Sequence, residues 1–264
     1  MPEILYNKIG DSYNTTRKAD PFITAQLIDL LGLRAGSLVL DIGCGTGNYT
    51  IALATAGLKM IGVEPSEKML KTARTRHQQI QWMKGRAEQI PLADDSVHGI
   101  VGTLTLHHWT TIEQTFKELC RVLKAGGRLV FFSSDPQQMK GYWLNHYFPD
   151  MLQQSIRQMP SFQTIRKAAV LAGFEVNKPL PYDVQDNLQD QFLYVGKNNP
   201  ELYFNESIRQ GISSFAALAY AEEVKQGLAA LRADLDQGRF AAIKKQYENQ
   251  GGDYLFIQAK KNSV

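Results

Sequence analysis

Residues 41–47 read Asp-Ile-Gly-Cys-Gly-Thr-Gly, an acidic residue followed by glycines at alternate positions. Glycines so placed let a backbone turn sharply and press against a ligand, because no Cβ intervenes. The spacing is G-x-G-x-G, whereas loops that cradle a dinucleotide pyrophosphate are spaced G-x-G-x-x-G. Asp41 widens the difference, since a carboxylate repels a pyrophosphate and attracts an ammonium or sulfonium group. Glu64 follows at about the distance where an acidic side chain pairs with ribose hydroxyls in nucleotide-binding folds. The alternative is a tight strand-to-helix turn with no ligand. Further along, His107 and His108 offer a general base, or else one imidazole bonds the local loop and the other packs. Asp135 faces a similar choice between a site edge and a helix cap before Pro136. Residues 141–148 carry four aromatics and a histidine; Trp143, His146 and Tyr147 either line an apolar ligand pocket or pack a helix down.

These residues need rigid elements to hold them. Residues 38–42 form a short apolar strand that delivers Asp41 and the glycine loop, and 59–63 a second strand that ends on Glu64. Asp20-Pro21 opens a helix with Ile23, Leu27, Leu30 and Leu31 on one face and Gly32 as its stop. Ser66 caps another helix, and Thr111-x-x-Gln114 has the form of a capping box. Strand candidates continue at 80–84, 97–103, 128–133, 174–184 and 254–260. Strands alternating with helices specify an α/β fold, a doubly wound and mostly parallel sheet. Residues 136–160 are aromatic-rich and irregular, and 185–250 read as helix and loop, with Val224, Leu228, Leu231 and Leu235 at helical spacing. The expected organisation is a single domain over 1–264. Its core is 20–135, 161–184 and 251–261, and its helical cap is 1–19, 136–160 and 185–250. On that division the cap selects the substrate, offers Phe192, Tyr194, Tyr203 or Phe204 to it, and leaves the sheet intact when 187–250 is deleted.

Several segments together resemble the class I S-adenosylmethionine (SAM) dependent methyltransferases. VLDIGCGTGNYT resembles their first motif, GVEPSEKML the acidic-loop motif, and GRAEQIPLADDSVHGIV the adenine-contacting segment and fourth strand. LTLHHW and ELCRVLKAGGRLVFF match the fourth-strand exit, the next helix and the fifth strand, as in the subgroup of ubiquinone and menaquinone biosynthesis methyltransferases. The resemblance implies a Rossmann-like seven-stranded sheet with the last strand antiparallel. It places Asp41, Gly43, Gly45 and Gly47 around the methionine portion of SAM, and Glu64 on the ribose. Pro65, Ser66, Ala87 and Glu88 fall around the adenine, Thr103 is a further cofactor-binding candidate, and Tyr13 and Arg17 fall where relatives close over the cofactor. One departure stands out: Arg86 occupies a position where many relatives have Asp, and a guanidinium cannot accept from the adenine amino group.

Composition bounds the reaction. The 264 residues carry a net charge of +3 with no basic run, which disfavours nucleic acid and anionic membranes. The two cysteines have no metal or redox spacing. The expectation is a cytoplasmic enzyme, monomer or homodimer, that binds no metal, nucleic acid or membrane. It passes a methyl group from SAM to carbon, oxygen or nitrogen of a small, partly apolar molecule by in-line displacement, leaving S-adenosylhomocysteine. The competing readings are an NAD(P)-dependent oxidoreductase, which the glycine spacing and Asp41 oppose, and a SAM-binding module without catalysis.

Overall fold

The computed structural model describes residues 16–247 and 251–263. Helix α1 (Pro21–Leu31) starts as its sequence dictates: the Asp20 side chain accepts from the Phe22 and Ile23 amides, Pro21 takes the first turn, and Gly32 ends the helix at φ 56°. The chain then alternates through β1 (Leu38–Ile42), α2 (Asn48–Thr55), β2 (Lys59–Glu64), α3 (Glu67–Arg76), β3 (Gln81–Lys84), β4 (Val97–Thr103), α4 (Ile112–Val122) and β5 (Leu123–Ser133). Thr111 precedes α4, but its side chain makes no capping bond.

The strands pair in the order β3-β2-β1-β4-β5, all parallel, followed by β8 (Tyr254–Lys261), antiparallel to β5. The sheet has eight strands among the described residues rather than seven. Asn177-Lys178-Pro179 breaks the expected strand at 174–184 into β6 (Phe174–Val176) and β7 (Leu180–Tyr182). Both halves pair with the same edge of β8, so the extra strand is an interruption and not a new layer. Prolines at 179 and 181 lack the amide a continuous ladder needs and are tolerated at this edge.

Period-two alternation sends strand side chains to two separate apolar clusters. Leu40, Ile42, Phe131 and Ile257 face α4 and α8 (Phe162–Leu171). Val39, Val130, Phe132 and Phe256 face α1 and α2, and their cluster continues into Trp143, Phe192, Tyr203 and Leu231.

The region 136–160 is more regular than its composition suggests, forming α5 (Pro136–Lys140), α6 (Leu144–Tyr147) and α7 (Pro149–Gln158). Between β7 and β8 come α9 (Glu206–Gln210), α10 (Ser213–Ala216), α11 (Ala221–Asp236) and α12 (Phe240–Lys245). The apolar stripe expected around Val224 and Leu231 packs α11 on α6, with Val224, Gly227 and Leu231 buried. Gly227 is the point of closest approach: a Cβ there would lie 2.2 Å from the Tyr147 carbonyl oxygen. Gly227→Ala is expected to cost about 1–3 kcal/mol of stability in urea unfolding, because backbone rather than a flexible side chain must yield. An unchanged midpoint would show that the helices separate freely.

Candidate active site

The crossover between β1 and β4, where strand order reverses, opens a crevice at the C-terminal strand ends. A cavity of about 670 Å³ lies there. Its inner wall comes from strand ends: Gly43 and Gly45 after β1, Glu64, Pro65 and Ser66 after β2, Arg86, Ala87 and Glu88 after β3, and Thr103 with His107 and His108 after β4. Its outer wall comes from the segments flanking the sheet, among them Met139, Met151, Gln154, Met159, Phe192 and Ile212. Arg17 also lines it.

The loop is built for close approach. Gly43 has φ 74°, and a Cβ there would stand 2.1 Å from Thr105 Oγ1. Gly47 is also at positive φ, but it begins α2 and lies against the Trp82 ring, away from the cavity wall. Glu64 Oε2 accepts from the Gly45 amide at 3.1 Å and Oε1 from the Ser66 amide at 3.0 Å, so one carboxylate ties the glycine loop to the start of α3. Burial raises the Glu64 pKa, and these two amides oppose the rise.

Asp41 lies behind the loop with Oδ2 accepting from Thr50 Oγ1 at 2.6 Å. Its Oδ1 is buried without a hydrogen-bond partner. Burial pushes the Asp41 carboxyl up to about 7; Thr50 pulls it down and the neighbouring charge of Glu64 pushes it up. Asp41 also raises the Cys44 thiol, after the larger effect of burial, so its field reaches the loop. An orphaned acid behind a loop that tolerates no Cβ fits a cationic ligand seated on that loop.

Arg17 Nε bonds Asp190 Oδ1 at 2.5 Å, and its carbonyl accepts from Asn48 Nδ2 at 2.8 Å. It thus joins the first turn after the glycine loop to the segment that carries Phe192. Tyr13 lies outside the described residues. Glu88 accepts from the Thr110 amide and hydroxyl; burial raises its pKa, and these bonds together with those from the Glu88 and Thr111 backbone bring it below the ordinary carboxylate value.

The His107 and His108 rings lie 3.8 Å apart. Burial drives His107 well below 6.5, aided by His108 and Arg17, and brings His108 down to about 4. Both imidazoles are therefore neutral near pH 7, whereas an effective general base titrates near its working pH.

The other expected pocket residues lie elsewhere. Asp135 is a helix cap: it accepts from Gln137 N, forms a capping box with Gln138, and its second oxygen holds the Phe162 amide at 2.8 Å. Trp143 is fully buried, donating Nε1 to the Lys197 carbonyl and meeting Phe240 edge-on at 5.0 Å. Tyr147 donates to Asp234 on α11, and His146 is exposed. Short α6 is pressed between α11, α12 and the chain near Lys197, so its aromatic surface is spent on packing. Phe192 reaches the cavity; Tyr194 stacks on Tyr142, Tyr203 is buried, and Phe204 lies under Arg232. Sequence reasoning missed Met139, Met151, Gln154, Met159 and Ile212. Only the helical stripe Met151, Gln154, Ser155 and Gln158 carried a signal.

A family model described as "Methyltransferase domain" matches residues 40–131. A solved structure from Anabaena variabilis, assigned as a methyltransferase from an antibiotic biosynthesis pathway, is 35% identical with a TM-score of 0.80, covering 92% of this chain and 98% of its own. The biotin biosynthesis bifunctional protein BioHC of Cellvibrio japonicus is 29% identical over 236 residues, 85% of this chain and 47% of its own length. The ubiquinone/menaquinone biosynthesis C-methyltransferase UbiE of Rubrivivax gelatinosus is 33% identical over 117 residues, 44% of this chain and 45% of its own. The chain spans about half the length of these curated relatives. No described helix is long and apolar enough to cross a membrane. With a full-length structural counterpart, the glycine loop and the acidic pair all in one frame, the chain belongs to the class I SAM-dependent methyltransferases.

Proposed function

We propose that this chain binds SAM against the glycine loop and transfers its methyl group to a small, largely apolar molecule held under residues 136–160 and 185–247. The observation that carries this reading is the continuity of the cavity: the wall that holds Gly43, Gly45 and Glu64 runs without a break into one of thioethers and aromatic rings. When bound, SAM supplies an electrophilic methyl on a sulfonium, open to in-line displacement. Asp41 favours the positive charge of that ligand, and the Gly43 and Gly45 backbone admits it to van der Waals contact. Glu64, whose oxygens each hold one amide, keeps further acceptor capacity for ribose hydroxyls. With Arg86 donor-only and Glu88 Oε1 engaged by Thr110, the adenine amino group depends on backbone carbonyls or the second Glu88 oxygen. Met139, Met151 and Phe192 exclude water and hold the acceptor, so positioning does most of the work. The neutral histidines orient the acceptor or accept a hydrogen bond from it.

The test is calorimetry with S-adenosylhomocysteine. Binding is expected to raise the melting temperature of the parent protein. Glu64→Gln is expected to lose about 1.5–3 kcal/mol of that affinity, the range for hydrogen bonds to a charged group. No binding to the parent, or equal affinity in the variant, would remove the ligand from this site.

A further inference from the structure

Helix α7 grades the cavity from floor to mouth. Its lining residues Met151, Gln154, Ser155 and Gln158 fall at the i, i+3, i+4, i+7 spacing of one helix face. Met151 is 1% exposed, Gln154 and Ser155 are half-buried, and Gln158 is exposed. Gln154 therefore stands between a sealed apolar floor and the opening.

Some of the polar groups that share this cavity are committed, while Ser134, Ser213, Tyr220 and Gln158 also line it. Ser155 Oγ bonds Ser214 Oγ at 2.8 Å, joining α7 to α10. The Tyr254 phenol accepts from the Tyr194 amide at 3.3 Å. The Gln154 amide makes no hydrogen bond to the described residues, and Met139, Met159, Phe192, Leu193 and Ile212 supply apolar wall in the same cavity. Charge is confined to the other side. Glu64, Arg86 and Glu88 sit at the ends of β2 and β3, and the charge of Arg17 is matched by Asp190. Among the described residues of α5, α7, α10 and the 192–193 segment, no charged side chain lines the cavity.

We propose that the methyl acceptor is uncharged, with an apolar body and one hydroxyl or carbonyl oxygen, and that Gln154 reads that oxygen. The proposal deepens the methyltransferase reading and rests on it. An amide donates to a carbonyl and either donates to or accepts from a hydroxyl, so it suits this class of group. A carboxylate, phosphate or ammonium in the same place would lose its hydration and meet no opposing charge. A molecule lacking the oxygen would cover the amide and leave it unpaired, which is how a hydrogen-bonding site rejects an apolar analogue.

The experiment is calorimetry on protein saturated with S-adenosylhomocysteine, using 2-naphthol, 2-methylnaphthalene, 2-naphthoate and 2-naphthylmethylammonium as probes. The expected result is that 2-naphthol binds at least about tenfold more tightly than each of the others. In Gln154→Leu the preference for 2-naphthol over 2-methylnaphthalene is expected to fall to about twofold or less. Equal or tighter binding of either charged probe, a preference that survives in Gln154→Leu, or no binding of any probe would overturn the proposal. Failure of S-adenosylhomocysteine itself to bind would instead overturn the reading on which it rests, and the proposal with it. Titrating that ligand into Gln154→Leu first separates the two, since a misfolded variant would lose both sites.

Discussion

Asp41→Asn is expected to fold more stably than the parent near pH 8 and to bind S-adenosylhomocysteine more weakly, with both differences shrinking near pH 5. The cause is the Asp41 carboxyl, which burial carries from 3.8 to about 7 against the pull of the Thr50 hydrogen bond. Between those two values the native chain holds a proton that the unfolded chain has released, so stability falls as pH rises through that window. At 1.36 kcal/mol per unit, a shift of about three units amounts to roughly 4 kcal/mol of native-state cost above pH 7. Asparagine removes that cost and still accepts from Thr50. It also removes the negative charge behind the glycine loop, which on the proposed reading attracts the ligand ammonium, with an expected loss of roughly 1–3 kcal/mol at an effective dielectric near 20. Below the folded pKa the parent must first release a proton to regain that charge, so its advantage fades. Denaturation and calorimetry at the two pH values read both effects, and buffers of different ionisation enthalpy count the proton released. Equal affinity of the two proteins near pH 8 would show that the charge of Asp41 does not reach the ligand.

The legible parts of this protein were those in which cause and effect lie close along the chain. The glycine loop, Asp41 and Glu64 belong to one strand–turn–helix–strand unit, so their spacing alone implied their meeting, and Glu64 does hold the Gly45 amide. The start of α1 was equally local, since Asp20 caps amides two and three residues away. Asp135 could be read as a cap for the same reason, with Gln138 three residues on. What sequence alone did not assign depends on which of two surfaces an apolar segment meets. The aromatics of 142–148 announced large buried area, but both the sheet and α11 were available partners, and Tyr147 went to Asp234 on α11. The cavity-lining stripe on α7 had a readable helical period, but periodicity does not say whether a face meets a core or a cavity. Arg17 and Asp190 are 173 residues apart and share no pattern that anticipates their ion pair.

That ion pair belongs to a larger junction, and it changes what removing residues 187–250 should do. If the segment were a detachable roof, the sheet and its cofactor site would survive without it. The packing points the other way. Phe192 meets Tyr254 at 4.6 Å and Phe132 at 5.7 Å, both on central strands, and Tyr194 stacks on Tyr142 at 4.0 Å. Asp190 neutralises Arg17 and accepts from the Tyr49 hydroxyl of α2, and Lys197 pairs with buried Asp253 just before β8. Cutting the segment out would bare Phe132, Tyr142 and Tyr254 and strip Asp253 of its lysine. Loss of one large buried aromatic costs about 3–5 kcal/mol, and a domain of this kind holds only about 5–15 kcal/mol in total. The shortened chain is therefore expected to show no cooperative thermal transition and no melting shift with S-adenosylhomocysteine. A shortened chain that melts cooperatively and keeps parental affinity would establish the segment as a separable module. A single change on the cavity wall is milder: Ile212→Ala is expected to alter acceptor binding and to cost about 2–5 kcal/mol of stability, because Ile212 both lines the cavity and is buried in the apolar cluster that holds Phe132 and Phe256.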